Sequence, residues 1–177
     1  MTRYFAFLRA INVGGHTVKM DLLKFIFEGC GFTNVETFIA SGNVVFDSPV
    51  EDNHILTQSI ESCLKDKLGY PVATFVRTGE ELSAIIKNQP FSDSDEVNIY
   101  IAFVAMAPEE QVQNKLYAHN STDNRFLIQE REVYWLCRTR FSDSVFSGAQ
   151  LEKTLGMPAT IRNRTTLQKM VNKYLLL

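Results

Sequence analysis

The segment Tyr4-Phe5-Ala6-Phe7-Leu8-Arg9-Ala10-Ile11-Asn12-Val13-Gly14-Gly15 joins an apolar run to a polar turn that ends in two glycines. An unbroken apolar run of this length, residues 4–8, is typical of a central strand. Arg9 and Asn12 are unusual at the end of such a strand, and the glycine pair permits a positive φ or a close approach of the backbone to another group. The segment therefore predicts a first strand and a polar site at its end.

The pattern that follows predicts the rest of a four-stranded half. Apolar residues at helical spacing predict two helices, and the tight turn Ser41-Gly42 separates two strands of a hairpin. The resulting order, βαββαβ, is that of a ferredoxin-like unit. The later elements are predicted, in chain order, as a helix over 19–29, strands over 34–40 and 43–46, a helix over 53–68 and a strand over 72–76.

The second half of the chain repeats this pattern in part. A long apolar strand opens it, a hairpin lies in the middle, and two helices close it, so the predicted order is βαββαα with the last strand missing. We therefore predict an α+β fold of two ferredoxin-like (βαββαβ-type) halves packed into one compact unit. The halves are predicted over 1–88 and 97–177, with a polar connector over 89–96. Just before that connector, Thr78 and Glu81 form a predicted capping box for a short helix.

Composition and charge exclude several classes of protein. The net charge of −2 argues against a non-specific nucleic-acid binder, because such proteins usually carry a basic excess. The three cysteines, Cys30, Cys63 and Cys137, are widely spaced and are predicted to be free thiols. No apolar run reaches the length of a membrane span, and no secretion signal is evident. We expect a cytoplasmic protein that makes no contact with membranes.

The candidate site consists of three polar segments. Arginine offers a planar fork of donors to a phosphate or carboxylate, and backbone N–H groups of a glycine-rich turn before a helix also bind anions. We therefore predict a small anionic ligand, with no metal, because none of the three histidines has ligand spacing. Reaction, cofactor and oligomeric state are not predicted. The proposed ligand-binding residues are Arg9, Asn12, Gly14, Gly15, Ser41, Asn43, Arg162 and Asn163.

Each of these residues also has a structural interpretation. Arg9 could brace the fold by pairing with Asp21 or Asp47, and the glycines could serve only as turn residues. Ser41-Gly42 could be a plain hairpin turn. The segment around Arg162 and Arg164 could be a solvated helix start, capped by Asn163, Thr165 or Thr166.

A second function hypothesis is a non-catalytic module that binds RNA, DNA or a protein partner on an open sheet face. Exposed aromatic side chains on such a face can stack bases. The residues that would decide this are Phe5, Phe7, Phe103 and Trp135. A third hypothesis makes all the motif residues structural and places the function on another surface.

Several motifs together resemble the domain-of-unknown-function 1697 family of bacterial proteins. They are Phe7 to Gly15, Val18-Lys19-Met20 with Leu23, Gly31-Phe32 with Val35 and Thr37, Ser41 to Phe46, Leu155-Gly156, and Thr160 to Asn163 with Thr166, Leu167 and Lys169. This chain has Ala10 and Arg164 where the family usually has a glycine and an aromatic residue. The resemblance implies a compact α+β fold of two ferredoxin-like halves in a cytoplasmic bacterial protein, and it implies no activity.

Overall fold

The computed structural model describes residues 1–12, 15–39, 42–92 and 97–175. Two of the predicted site residues, Gly14 and Ser41, lie outside these ranges. The described chain divides into two compact units, Met1–Leu82 and Ser83–Leu177. The polar connector predicted over 89–96 stays a prediction, since four of its residues are among those not described.

The first half is a four-stranded antiparallel sheet with two helices packed on it, followed by a third helix after its last strand. Its strand order is β2-β3-β1-β4, so β1 is paired on both sides. The helix α3 follows β4, and the predicted Thr78–Glu81 capping box is confirmed by reciprocal bonds of 2.8 and 3.1 Å. The elements are β1 (Thr2–Leu8), α1 (Met20–Gly29), β2 (Thr33–Thr37), β3 (Asn43–Ser48), α2 (Asn53–Leu68), β4 (Thr74–Thr78) and α3 (Gly79–Lys87).

The core of the first half lies between the sheet and the apolar faces of α1 and α2. Alternate residues of β1 point toward these helices, and each helix buries its own apolar stripe, with Leu23 on α1 and Ile60 on α2. The helix α2 begins at the side-chain cap of Asp52 and ends at Gly69, whose φ of 83° is left-handed. Its bounds are those predicted from the sequence.

The second half has the same arrangement. Its sheet is antiparallel with strand order β6-β7-β5-β8, and its core is centred on Trp135. A short 3₁₀ turn over Phe141–Asp143 precedes α5, which starts with a capping box of Ser147 and Gln150. The elements are β5 (Asn98–Phe103), α4 (Glu110–Tyr117), β6 (Asn124–Gln129), β7 (Glu132–Cys137), α5 (Gly148–Leu155), β8 (Thr160–Asn163) and α6 (Arg164–Tyr174).

The strand β8 corrects the predicted order of the second half, which had no final strand. This strand has four residues, Thr160-Ile161-Arg162-Asn163, and pairs antiparallel with β5. Sequence patterns miss it because it is short and because an arginine in its middle removes the apolar run that predicts a buried strand. The described chain is thus an α+β protein with two similar halves.

The cysteines give a second correction. Cys30, at the end of α1, and Cys63, within α2, form a disulfide with a Cα–Cα distance of 6.4 Å. Only Cys137 is free among the three cysteines, and it is buried as expected. Spacing in the sequence could not reveal the pair, because the packing of α1 against α2 creates the proximity.

Candidate functional site

The first two polar segments meet at the end of β1. The Leu8 N–H donates to the Gly42 carbonyl at 2.9 Å, which ties the start of the β1–α1 loop to the β2–β3 turn. Gly42 has a φ of 78°, and a Cβ added there would lie 2.9 Å from Cγ2 of Ile11 and 3.0 Å from Cβ of Leu8. A glycine is therefore required at position 42 by both conformation and space.

The segment between α2 and β4 joins the same end of the sheet. The Arg9 N–H donates to the Ala73 carbonyl at 2.9 Å, and the His16 ring stacks on the Tyr70 ring with centroids 3.9 Å apart. Arg9 is half-buried, whereas His16 is exposed. Three loops thus converge around the end of β1. We call this the β1-end site and define it by Arg9, Asn12, Gly15, His16, Asn43 and Tyr70.

The two asparagines of the β1-end site hold their own loops. The Asn12 Oδ1 accepts from the Val18 N–H at 2.7 Å and so closes the β1–α1 loop just before α1. Asn43 is buried, and its side-chain amide donates to the Phe38 carbonyl at 2.9 Å across the β2–β3 turn. These bonds show that both residues shape the site. Gly15, with a φ of 85°, contributes a backbone conformation that favours glycine.

Strained backbone lies in both of the loops that meet beside β1. Ala10 has a φ of 54°, and Ile39, a β-branched residue, has a φ of 57°. Positive φ is costly for such residues and persists where surrounding structure imposes it, most often near functional sites. The strain at Ala10 also accounts for the glycine that the resembling family usually has at this position.

Asp47, one of the two carboxylates predicted as a partner of Arg9, pairs with another arginine. Its carboxylate accepts from Arg3 at 2.8 and 3.1 Å and from the Asn34 amide at 2.8 Å. These bonds, that of Arg3 first, lower the pKa of Asp47. Arg3 is at the start of β1, so this ion pair and Arg9 lie at opposite ends of the same strand.

The third polar segment is part of the second half. Arg162 is 6% exposed, and its Nη1 donates to Thr160 Oγ1 at 2.8 Å and to the Ile161 carbonyl at 3.0 Å. Burial lowers its pKa to about 10. Asn163 caps α6 by accepting from the Thr165 N–H at 2.7 Å. The cap was among the expected alternatives, whereas a solvated position for Arg162 was wrong.

The four aromatic residues that would mark an open sheet face are all buried. Phe5, Phe7, Phe103 and Trp135 have no exposed surface. Stacking of nucleic-acid bases on them, as the second hypothesis required, would need the fold to open. The structure therefore leaves that hypothesis without the exposed aromatic side chains on which it depended.

Other kinds of site are absent from the described residues. Within the ranges that the structure covers, no group of His, Cys, Asp and Glu side chains could hold a metal ion. None of the helices in the same ranges is long and apolar enough to cross a membrane. All three histidines, His16, His54 and His119, are exposed, as expected.

His16 and Tyr70 are the residues of the β1-end site that sequence reasoning missed. His16 follows the glycine pair directly, so its position in the motif was the available signal. Tyr70 follows Gly69, which ends α2 in a left-handed conformation and turns the chain back toward β1. Only the sheet topology shows that these two loops are neighbours.

Comparison with known proteins places the chain in a family. A family model described as "Protein of unknown function (DUF1697)" matches residues 1–134. The chain belongs to the DUF1697 family. No curated protein matches it. It is similar to the solved structure of "conserved bacterial protein SP0830 from Streptococcus pneumoniae", with 24% identity, a TM-score of 0.72 and 98% coverage of each chain.

The DUF1697 match covers the first part of the chain and not its C-terminal segment. It contains the first two polar segments and therefore every residue of the β1-end site. It ends at Tyr134, before Arg162 and Asn163, so the resemblance of the C-terminal motif to DUF1697 proteins stays a prediction. At 24% identity, the likeness to SP0830 shows the fold alone.

Proposed function

We propose that the chain binds a small anionic metabolite, a phosphate or carboxylate compound, at the β1-end site. The observation that carries this proposal is the convergence of three loops beside Arg9, whose backbone is held by Ala73 at 2.9 Å. A guanidinium on a fixed backbone presents its donors as a planar fork, which suits an oxyanion. Strained backbone at Ala10 and Ile39 beside the same site supports a functional role.

The neighbours of Arg9 favour an anion over a cation. His16 lies in the same loop and brings a ring N–H donor, and Gly15 leaves the backbone open because a Cβ there would contact nothing within 4 Å. The α1 helix follows at Met20, and its positive end adds a favourable field. These features describe binding and assign no reaction, because no nucleophile or general base is positioned by them.

The sequence predicts Arg162 and Asn163 in the same site as Arg9. Their contacts within β8 and at the start of α6 favour a structural role for both. We therefore build the proposed site from the β1-end residues alone. A role of Arg162 and Asn163 in ligand binding stays a prediction from the sequence.

We further propose that each half is a ferredoxin-like unit and that the protein is cytoplasmic. The βαββαβ order with the spatial strand orders β2-β3-β1-β4 and β6-β7-β5-β8 supports the first statement. Ordinary globular composition is compatible with the second.

The Cys30–Cys63 disulfide opposes a cytoplasmic location, because disulfides persist mainly in oxidising compartments. Thiol labelling in intact cells decides this point: a reduced pair supports the cytoplasm.

The experiment that tests the proposed function is a thermal-shift screen of nucleotides, sugar phosphates, acyl-coenzyme A species and carboxylates. A ligand at 100 times its Kd stabilises the native state by about 2.7 kcal/mol. The wild type should respond to one class of compound, and Arg9→Ala should not respond while remaining folded. Arg125→Ala, which removes an exposed arginine of β6, is the matched control and should respond like the wild type. No response of the wild type to any compound would contradict the proposal.

A further inference from the structure

The Tyr70 hydroxyl is a buried polar group without a partner. In the described part of the chain its oxygen is inaccessible to solvent and forms no hydrogen bond. Its ring packs on the core of the first half and is stacked by the exposed ring of His16 at 3.9 Å. A phenylalanine would fill the same space without burying a polar atom. An unsatisfied buried hydroxyl costs stability, and in a native structure it points to an unseen water or ligand.

The position of this hydroxyl connects it with the proposed anion site. Tyr70 lies three residues before Ala73, which bonds the Arg9 N–H, and its ring contacts the loop that carries Arg9 and Gly15. A phenol O–H is a donor that can bind an oxyanion. The proposed contact is therefore with a ligand that enters between the β1–α1 loop and the segment before β4.

We infer that Tyr70 is a ligand-binding residue whose hydroxyl donates to an oxygen of the anion, beside the stacked ring of His16. This inference rests on the proposed function and adds a specific contact to it. It requires the side chains around the Tyr70 hydroxyl to move as the ligand enters, since this oxygen is inaccessible to solvent in the structure. The ligand then supplies the acceptor that the protein lacks.

The test is the affinity of Tyr70→Phe for inorganic phosphate and citrate, measured by calorimetry beside the wild type and Arg9→Ala. A hydrogen bond to a charged group contributes enough that its loss should weaken binding by about tenfold or more. The melting temperature of Tyr70→Phe should be unchanged or higher, because the hydroxyl loses no partner within the protein. A tyrosine with only a structural role would not combine weaker ligand binding with an unchanged or higher melting temperature in this variant.

Tyr117→Phe is the matched control. The Tyr117 hydroxyl accepts from the Ile128 N–H at 3.0 Å, so its loss should lower the melting temperature and leave phosphate and citrate binding unchanged. If the wild type binds a probe, Arg9→Ala loses it and Tyr70→Phe binds as the wild type does, then the inference is wrong and the proposed function stands. If neither probe binds the wild type, the inference is overturned, and the proposed function is then decided by the thermal-shift screen.

Discussion

Arg77 and Arg162 occupy equivalent positions in the two halves of the molecule. Arg77 of β4 lies opposite Phe5 of β1, and Arg162 of β8 lies opposite Ile101 of β5. The two are 2% and 6% exposed, and each donates from Nη1 to the carbonyl of the preceding residue, at 2.9 and 3.0 Å. The likeness of the halves therefore extends from strand order to one buried cation on each edge strand.

This equivalence predicts similar losses of stability when either arginine is removed. Arg77→Ala and Arg162→Ala each leave a cavity and deprive backbone acceptors of a charged donor, so each should lower the free energy of unfolding by about 3 kcal/mol. Arg125→Ala, on an exposed position of β6, should change it by no more than about 0.5 kcal/mol. Urea unfolding measures all three. A large loss for one buried arginine and none for the other would show that the positions are not equivalent in energy.

The Arg3–Asp47 pair predicts a dependence of stability on acid pH. The pKa of Asp47 is lowered in the folded state, chiefly by the hydrogen bond from Arg3, so its contribution is present above the unfolded value near 3.8 and is lost as pH falls through the folded value. Asp47→Asn should therefore be about 1 kcal/mol less stable than the wild type at pH 7.

Urea unfolding of the wild type and Asp47→Asn at pH 7, 4 and 2.5 measures this effect. The difference between the two proteins should shrink as the pH is lowered, because the wild-type carboxylate becomes protonated. A difference that stays constant over this range would show that the ion pair does not stabilise the fold.

A substitution at Gly42 should lower stability for two reasons that can be separated: the positive φ and the contacts that an added Cβ would make. Gly42→Ala places a Cβ against Ile11 and Leu8 at a φ of 78°, whereas Gly69→Ala faces a similar φ of 83° with nothing within 4 Å. Gly69→Ala should cost about 1 kcal/mol for the backbone conformation alone. Gly42→Ala should cost about 2 kcal/mol more, because the neighbouring side chains must shift. Chemical denaturation measures the free energy of unfolding of both variants. Equal losses for the two would mean that the contacts of the added Cβ with Ile11 and Leu8 do not destabilise the fold.

The Cys30–Cys63 disulfide predicts a redox-dependent stability. The two residues are separated by 33 positions, and closing a loop of this length should stabilise the fold by about 4 kcal/mol on the chain-entropy model. Dithiothreitol should lower the melting temperature of the wild type. Dithiothreitol should leave the melting temperature of the double variant Cys30→Ser/Cys63→Ser unchanged, although this variant keeps the buried Cys137. A wild type that is insensitive to the reductant, with reduction verified by thiol titration, would contradict the prediction.

Much of the fold could be predicted because the elements carry strong local signals. The bounds of α2 follow from the sequence, since Asp52 and Gly69 provide a cap at each end. The strand β8 does not, because four residues with a central arginine carry no apolar pattern. Sequence patterns do not predict a short strand when its formation depends on pairing with a distant strand.

The candidate site was predictable only in part. Arg9 and Gly15 stand in a conspicuous motif, and the structure brings the neighbouring Gly42 turn to them. His16 and Tyr70 are far apart in the sequence, and no periodicity connects them. Their contact follows the pairing of β4 with β1, and the predicted order of the elements does not specify which loop side chains meet there.

The most direct test of the account is to map which backbone amides respond to an anion in ¹H–¹⁵N spectra of the labelled protein. The probes are inorganic phosphate and citrate, titrated into the wild type. The account predicts shifts concentrated in the β1–α1 loop from Arg9 to Lys19, at Gly42 and Asn43, and over 69–73, and their loss in Arg9→Ala. Shifts confined to the segment around Arg162, or no saturable shift in any of these loops, would contradict it.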